Sequence, residues 1–249
     1  MEKLERIYDF LKYKAPLELC ESWDNSGLLI NANENIENVL ITLDITNSVI
    51  NEAINKNCQL IISHHPVIFK PLKNINSNDL VFKLIENNIS VISMHTNLDA
   101  AKGGVNDVLA NELGLLNIKE FETIGRCGWI PTSTVETFAK TVAEILNTNV
   151  KYTLPNKEIN SIAVIGGSAG SYWKKAYELG IDLFVTGEAS HHDAIDSAHV
   201  GVGLIIGGHW NTEAIIRKQI KSDCERKFPN ISFIISETDC DPFIYMVSS

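Results

Sequence analysis

No apolar run in this chain approaches the roughly 18 residues that a membrane span needs, and the opening MEKLERIYDFLKYKAP reads as a charged amphipathic helix instead of a signal peptide. Membrane association is therefore not expected. The five cysteines, at positions 20, 58, 127, 224 and 240, are odd in number and show no metal-ligand or redox spacing. No zinc-ribbon or dithiol spacing is therefore present, and reduced thiols in a cytoplasmic setting are the expectation. Positive charge is scarce, since 21 Lys and Arg against 31 Asp and Glu leave a net charge of −10. Nucleic-acid binding usually shows a basic patch, so it is not expected here unless an assembly carries a locally basic lining. Low-complexity stretches, a Walker loop and a GxGxxG fingerprint are also missing.

What is present is an alternation of strand and helix patterns with short connections, which predicts an α/β fold with mainly parallel sheets. Leu4, Ile7, Tyr8 and Leu11 recur at helical spacing, and Pro16 stops that helix. Strands are expected near Leu28, Leu40, Leu60 and Val91, with helices around Ile50 and Phe82 and from Val105 to Leu113. The middle reads strand GRCGWIP, helix TFAKTVAEILN, strand VKYTL, and the end reads helix EAIIRKQI, then strands SFIIS and PFIYM.

Two stretches resemble each other. From Val39 the order is strand LITLDI, helix TNSVINEAINKN, strand QLIIS, the pair His64-His65, strand VISM, and His95 to Asp99. From Ile162 it is strand IAVIGG, helix SYWKKAYELG, strand LFVTG, Glu188, strand GLIIG, and His209 to Glu213. Both end in His-x-Asn-x-acid, which points to two interlocked α/β units related by internal duplication. The expected boundaries put residues 1–124 with 208–249 in the first unit and 125–207 in the second.

Side chains on a strand alternate between faces, so the adjacent His64 and His65 can share a site only where the strand ends and the backbone turns. Open α/β sheets hold ligands at the carboxyl ends of their strands, where His64, His65, Asp99, His209 and Glu213 all fall. Three imidazoles and two carboxylates suit zinc, iron, manganese, cobalt or nickel better than calcium or magnesium. Five protein ligands are many for one catalytic ion, and two divalent ions at the roughly 3.5–4 Å separation of two-metal sites would use them comfortably.

The blocks WDNSGLLI (Trp23 to Ile30), ISHHPVIFK (Ile62 to Lys70), HTNLDAAKGGVND (His95 to Asp107), VTGEASHHDA (Val185 to Ala194) and GHWNTE (Gly208 to Glu213) occur in the order seen in the Nif-three-like family, which this chain resembles. Bacterial members of that family carry the name GTP cyclohydrolase I type 2. The resemblance implies a two-metal site at His64, His65, Asp99, His209 and Glu213, with Glu213 bridging. It also implies a homo-oligomer in the form of a hexameric ring, and GTP or a related nucleotide as substrate. Longer members have an inserted middle domain for which 249 residues leave no room.

His95 and Glu188 occupy positions equivalent to His209 and His65 without being ligands in the family pattern, and His192 lies one turn beyond Glu188. These three are the candidate catalytic acids and bases, with Glu188 and His192 placed to share a proton. Asn97 and Asn211 are candidates for hydrogen bonds that orient ligands, or else turn formers. Lys70, Lys73, Lys102 and Arg126 are either phosphate contacts or ordinary surface charges. Lys102-Gly103-Gly104 and Gly166 to Gly170 precede helices, where they can cradle an anion or simply allow a tight turn.

The leading expectation is a dinuclear metal-dependent hydrolase whose activated water attacks a carbon such as C8 of guanine. The alternatives are an iron carrier or insertion protein for metallocofactor assembly, and a ring-shaped nucleic-acid-binding or regulatory scaffold.

Overall fold

The computed structural model describes residues 1–244 and 246. It divides into two compact units, residues 1–97 with 217–249, and residues 98–216. The boundaries expected at 124 and 208 both fall inside the second of these. Its sheet recruits the segment before residue 125 as a further strand, and the turn after residue 207 packs on its glycines.

In the first unit the chain runs through β1 (Glu2–Lys3), α1 (Leu4–Lys14), β2 (Gly27–Ile30), β3 (Asn35–Ile36), β4 (Asn38–Thr42), α2 (Asn47–Asn55), β5 (Leu60–Ser63), α3 (Leu80–Glu86) and β6 (Ser90–Ser93). Strand β4 is parallel to β5, and β5 to β6, while β2 closes one edge antiparallel to β6. These strands read as continuous apolar runs because both faces of the sheet are covered. Leu40, Ile61 and Val91 pack against Val49, Ile50 and Ala53 of α2 and Val81 and Leu84 of α3, and the alternate residues Val39, Ile41, Leu60 and Ile62 are equally buried. Thr46 caps α2, its side chain accepting from the Val49 amide at 3.3 Å.

The second unit contains α5 (Val105–Glu112), β7 (Leu116–Phe121), β8 (Gly125–Thr134), α6 (Val135–Leu146), β9 (Lys151–Tyr152), β10 (Glu158–Ile165), α7 (Trp173–Glu178), β11 (Leu183–Thr186), α8 (His191–His199), β12 (Gly203–Ile206) and α9 (His209–Glu213). The short helix α4 (Thr96–Ala100) spans the boundary between the units. The sheet order is β7-β8-β10-β11-β12-β9. Only β10, β11 and β12 are mutually parallel, and the other three ladders are antiparallel. Parallel pairing thus dominates the first unit, whereas the second sheet is mixed. Period-two alternation sorts its core: Ile162, Val164, Leu183 and Val185 face Phe138 and Val142, while Ala163, Ile165 and Phe184 join Trp173 and Ala176.

The chain then returns to the first unit through α10 (Ile216–Lys227) and β13 (Ser232–Ile235), which adds to β4 in parallel. Glu52 ties down the segment beyond it, accepting from Ser236 Oγ at 2.6 Å and Thr238 Oγ1 at 2.7 Å. The expected strand at 242–246 includes Tyr245, which lies outside the described residues.

The two units share a pairing plan. Each unit contains three strands, β4-β5-β6 and β10-β11-β12, joined by two parallel four-residue ladders, with a short antiparallel strand on the edge of the third. In each unit the polar residues follow the second and third of these strands. No helix among the described residues is long and apolar enough to cross a membrane.

Candidate functional site

In the first unit β5 ends at Ser63, and the chain continues pairing while it turns, with the His64 amide donating to Thr42 at 3.2 Å and the His65 amide to Leu43 at 3.0 Å. The turn brings both rings to one side, their centroids 5.1 Å apart. His95 joins them from the end of β6, its centroid 5.2 Å from that of His64 and 5.5 Å from that of His65. One ring nitrogen from each of the three lies within 4.8 Å of the others, a grouping able to hold a metal ion.

Each imidazole is braced from behind. His64 Nδ1 lies 2.8 Å from the Met94 carbonyl, which only accepts, so Nδ1 carries the proton and Nε2 the lone pair. His65 Nδ1 lies 2.7 Å from Asp44 Oδ1, and His95 Nδ1 lies 2.7 Å from Asp24 Oδ1. Carboxylates and carbonyls behind Nδ1 are the usual supports of metal-bound histidines, since they fix ring orientation and raise basicity.

Asp24 is a hub. Its buried carboxylate also accepts from Ser26 Oγ at 2.9 Å, Thr96 Oγ1 at 2.6 Å and the Thr96 amide at 3.1 Å. Burial pushes its pKa up, but the hydrogen bonds from His95, Thr96 and Ser26 outweigh this and hold the group well below the usual carboxylate range.

In the second unit His209 and Glu213 sit at the two ends of α9, with His209 Nε2 3.1 Å from Glu213 Oε2. Glu188 reaches the other ring nitrogen, its Oε1 3.2 Å from His209 Nδ1. The glycine loop after β10 makes this possible. Gly167 has φ +64°, and a Cβ there would meet Glu213 Oε1 at 2.1 Å and His209 Nε2 at 3.4 Å. Its amide donates to Thr212 Oγ1 at 3.0 Å. The Gly166 amide donates to buried Asn106 Oδ1 at 2.8 Å, and Asn106 Nδ2 donates to the Asp99 carbonyl at 3.3 Å. Asn106 therefore couples the backbone that carries Asp99 to the loop that accommodates Glu213. Tight turning next to a carboxylate, not an anion cradle, explains these glycines.

Several expectations are corrected. Glu188 and His192 do not share a proton, because Glu188 bonds His209 and no hydrogen bond joins it to His192, which stands exposed on α8. Arg126 is no surface charge: it is buried, pairs with Asp107 at 2.5 Å, and donates to the carbonyls of Ala100 at 2.9 Å and Gly125 at 2.8 Å. The Gly103 amide is occupied by Asp107 Oδ2 at 2.6 Å, so the Lys102-Gly103-Gly104 turn holds its own carboxylate. Asn97 and Asn211 orient no imidazole. Their Nδ2 groups donate to the Ala15 carbonyl at 2.7 Å and the Leu146 carbonyl at 3.3 Å, anchoring α4 and α9. Sequence reasoning missed Asp24, Asp44 and Asn106, although Asp24 and Asn106 lie within the recurrent blocks WDNSG and GGVND.

The family profile described as Duf34/NIF3 (NGG1p interacting factor 3) matches residues 2–242. The chain belongs to the DUF34/NIF3 family. A Clostridium acetobutylicum relative named "GTP cyclohydrolase 1 type 2 homolog" is 32% identical and aligns with 97% of this chain and 98% of its own length. The crystal structure of Staphylococcus aureus hypothetical protein SA1388 superimposes with a TM-score of 0.91 at 33% identity, covering 98% of this chain and 99% of that one. Reduced HcgD from Methanocaldococcus jannaschii does so with a TM-score of 0.82 at 27% identity, over 94% and 98% of the two chains. Membership in the DUF34/NIF3 family fixes the fold, and the histidine and carboxylate groups provide donors able to hold a metal.

Proposed function

We propose that this protein is a divalent-metal-dependent hydrolase of the GTP cyclohydrolase I type 2 kind, with His64, His65, Asp99, His209 and Glu213 holding two ions. The observation that carries this reading is the bracing of the imidazoles through Nδ1, by Met94, Asp44 and Glu188 at His64, His65 and His209. A carbonyl or carboxylate behind Nδ1 fixes the ring's orientation and raises the basicity of the other nitrogen, as a metal ligand requires. Imidazole nitrogen with carboxylate oxygen favours zinc, iron, manganese, cobalt or nickel. Ions at such a site supply Lewis acidity and bring the pKa of a water towards neutrality.

The remaining work falls to the chain's own side chains. His95, held by Asp24, is placed to move a proton at Nε2 beside His64 and His65. Glu188 keeps the His209 ring in position. A nucleotide base, with an electrophilic ring carbon, is the substrate class that the names of the relatives suggest. The hexameric ring expected from the family belongs to the same proposal, and sedimentation of the purified chain tests it.

Incubation of the metal-loaded protein with GTP, scored for formate, tests the activity. Release of formate that is lost on chelation and in Glu213→Gln is the expected result. Two bound ions that exchange rapidly with a chelator, with no formate released, would replace the hydrolase by a metal carrier.

A further inference from the structure

Trp23 and Phe69 are large aromatics that stand 57% and 45% exposed beside the histidine cluster. Their ring centroids are 5.9 Å apart, and each also touches His95, at 6.0 Å from Trp23 and 6.4 Å from Phe69. Their backbones are not loose. Asp24, next to Trp23, is fixed by its bonds to His95, Thr96 and Ser26. Asn25 Nδ2 donates to the carbonyl of Ile68 at 2.5 Å, which ties the Trp23 segment to the Phe69 segment. The pair is therefore organised in advance of any occupant.

The same exposed segment carries Lys70 and Lys73, and neither forms an ion pair among the described residues. On a chain with a net charge of −10, two exposed lysines one and four positions beyond Phe69 match a ligand that is flat at one end and anionic at the other. Stacking on aromatic faces tolerates any planar base, and lysine meets phosphate as a point charge.

We propose that Trp23 and Phe69 form a stacking platform for the ring of a phosphate-bearing heteroaromatic ligand, with Lys70 and Lys73 meeting its phosphates. The ring edge then faces His64, His65 and His95. This inference rests on the hydrolase reading only for the use of that edge, because the platform binds its ligand whether or not turnover follows. Asn25 acts as a positioning residue, holding the two aromatic segments together.

The test is calorimetric titration of the full-length, metal-loaded protein with GTP, guanosine and inorganic triphosphate. Trp23→Ala and Phe69→Ala should each weaken GTP and guanosine binding about tenfold, equivalent to about 1.4 kcal/mol, and leave triphosphate binding unchanged. Trp23→Phe should restore most of the affinity, which loss of a merely structural contact does not predict. Lys70→Ala with Lys73→Ala should weaken GTP and triphosphate but not guanosine. GTP affinity unaltered in both aromatic variants, or no GTP binding by the parent protein, overturns the platform. A drop in oligomeric state with unchanged GTP affinity assigns the face to a second copy of the chain and also overturns it. Formate release measured alongside separates the two claims: binding through Trp23 without formate removes the hydrolase alone, and formate release with unchanged KM in Trp23→Ala removes the platform alone.

Discussion

Asp24 holds His95 in place: Oδ1 and Nδ1 are 2.7 Å apart, and the Asp24 side chain is fully buried. The carboxylate thereby fixes which nitrogen of His95 carries its proton and points the other towards His64 and His65. Asp24→Asn keeps the shape but places an amide among donors that require an acceptor. Formate release should fall by about 10²-fold or more with metal content retained, and stability should drop by about 2–3 kcal/mol in urea titrations. Unchanged turnover would show that His95 takes no part in proton transfer.

Gly167 makes room for the Glu213 carboxylate. In Gly167→Ala the new Cβ would lie 2.1 Å from Glu213 Oε1 on a backbone at φ +64°. The carboxylate must move, so bound metal measured by elemental analysis should fall well below that of the parent protein. Gly180→Ala is the control, because Gly180 has φ +68° with nothing within 4 Å of its Cβ position. It should share the backbone strain of about 1–3 kcal/mol and keep its metal.

Glu52 predicts a pH dependence. Burial raises its pKa, but bonds from Lys56, Ser236, Glu237 and Thr238 outweigh this and bring it from 4.5 down to about 2. A depressed folded pKa contributes stability that is complete above the unfolded value and lost as pH falls through the folded one. Stability measured by denaturant titration should therefore decline between about pH 4.5 and pH 2. In Glu52→Gln the decline should be shallower, and stability at pH 7 should be lower.

Arg126 and Lys102 separate a structural cation from a surface one. Arg126→Ala strands Asp107 and the carbonyls of Ala100 and Gly125 in a buried setting, at a cost of about 3–5 kcal/mol. Lys102→Ala, at an exposed position, should change stability by no more than about 0.5 kcal/mol. Equal effects of the two in thermal melts would contradict the buried network.

Local signals explain which features could be read early. The strands β4, β5, β6, β10, β11 and β12 announce themselves as apolar runs, because a strand buried on both faces has no polar register to hide it. His64 and His65 are legible because adjacent imidazoles at the end of such a run have few other uses. The mixed character of the second sheet was not legible. Strand β9 has two residues and β7 is mostly exposed, so neither carries an apolar pattern. The supports of the site were equally hidden, since His95 meets Asp24 across 71 positions, His65 meets Asp44 across 21, and Gly166 meets Asn106 across 60. No periodicity links residues so far apart.

Composition, alternation and motif order alone determined an acidic α/β chain with a repeated strand–helix–strand plan and a set of donors able to hold a metal, because burial and donor chemistry are written residue by residue. Tertiary structure alone decided that Glu188 serves His209 and not His192, that Arg126 is buried, and that Gly167 makes room for Glu213. Those outcomes depend on which segments pack together, and packing is set by the whole core at once.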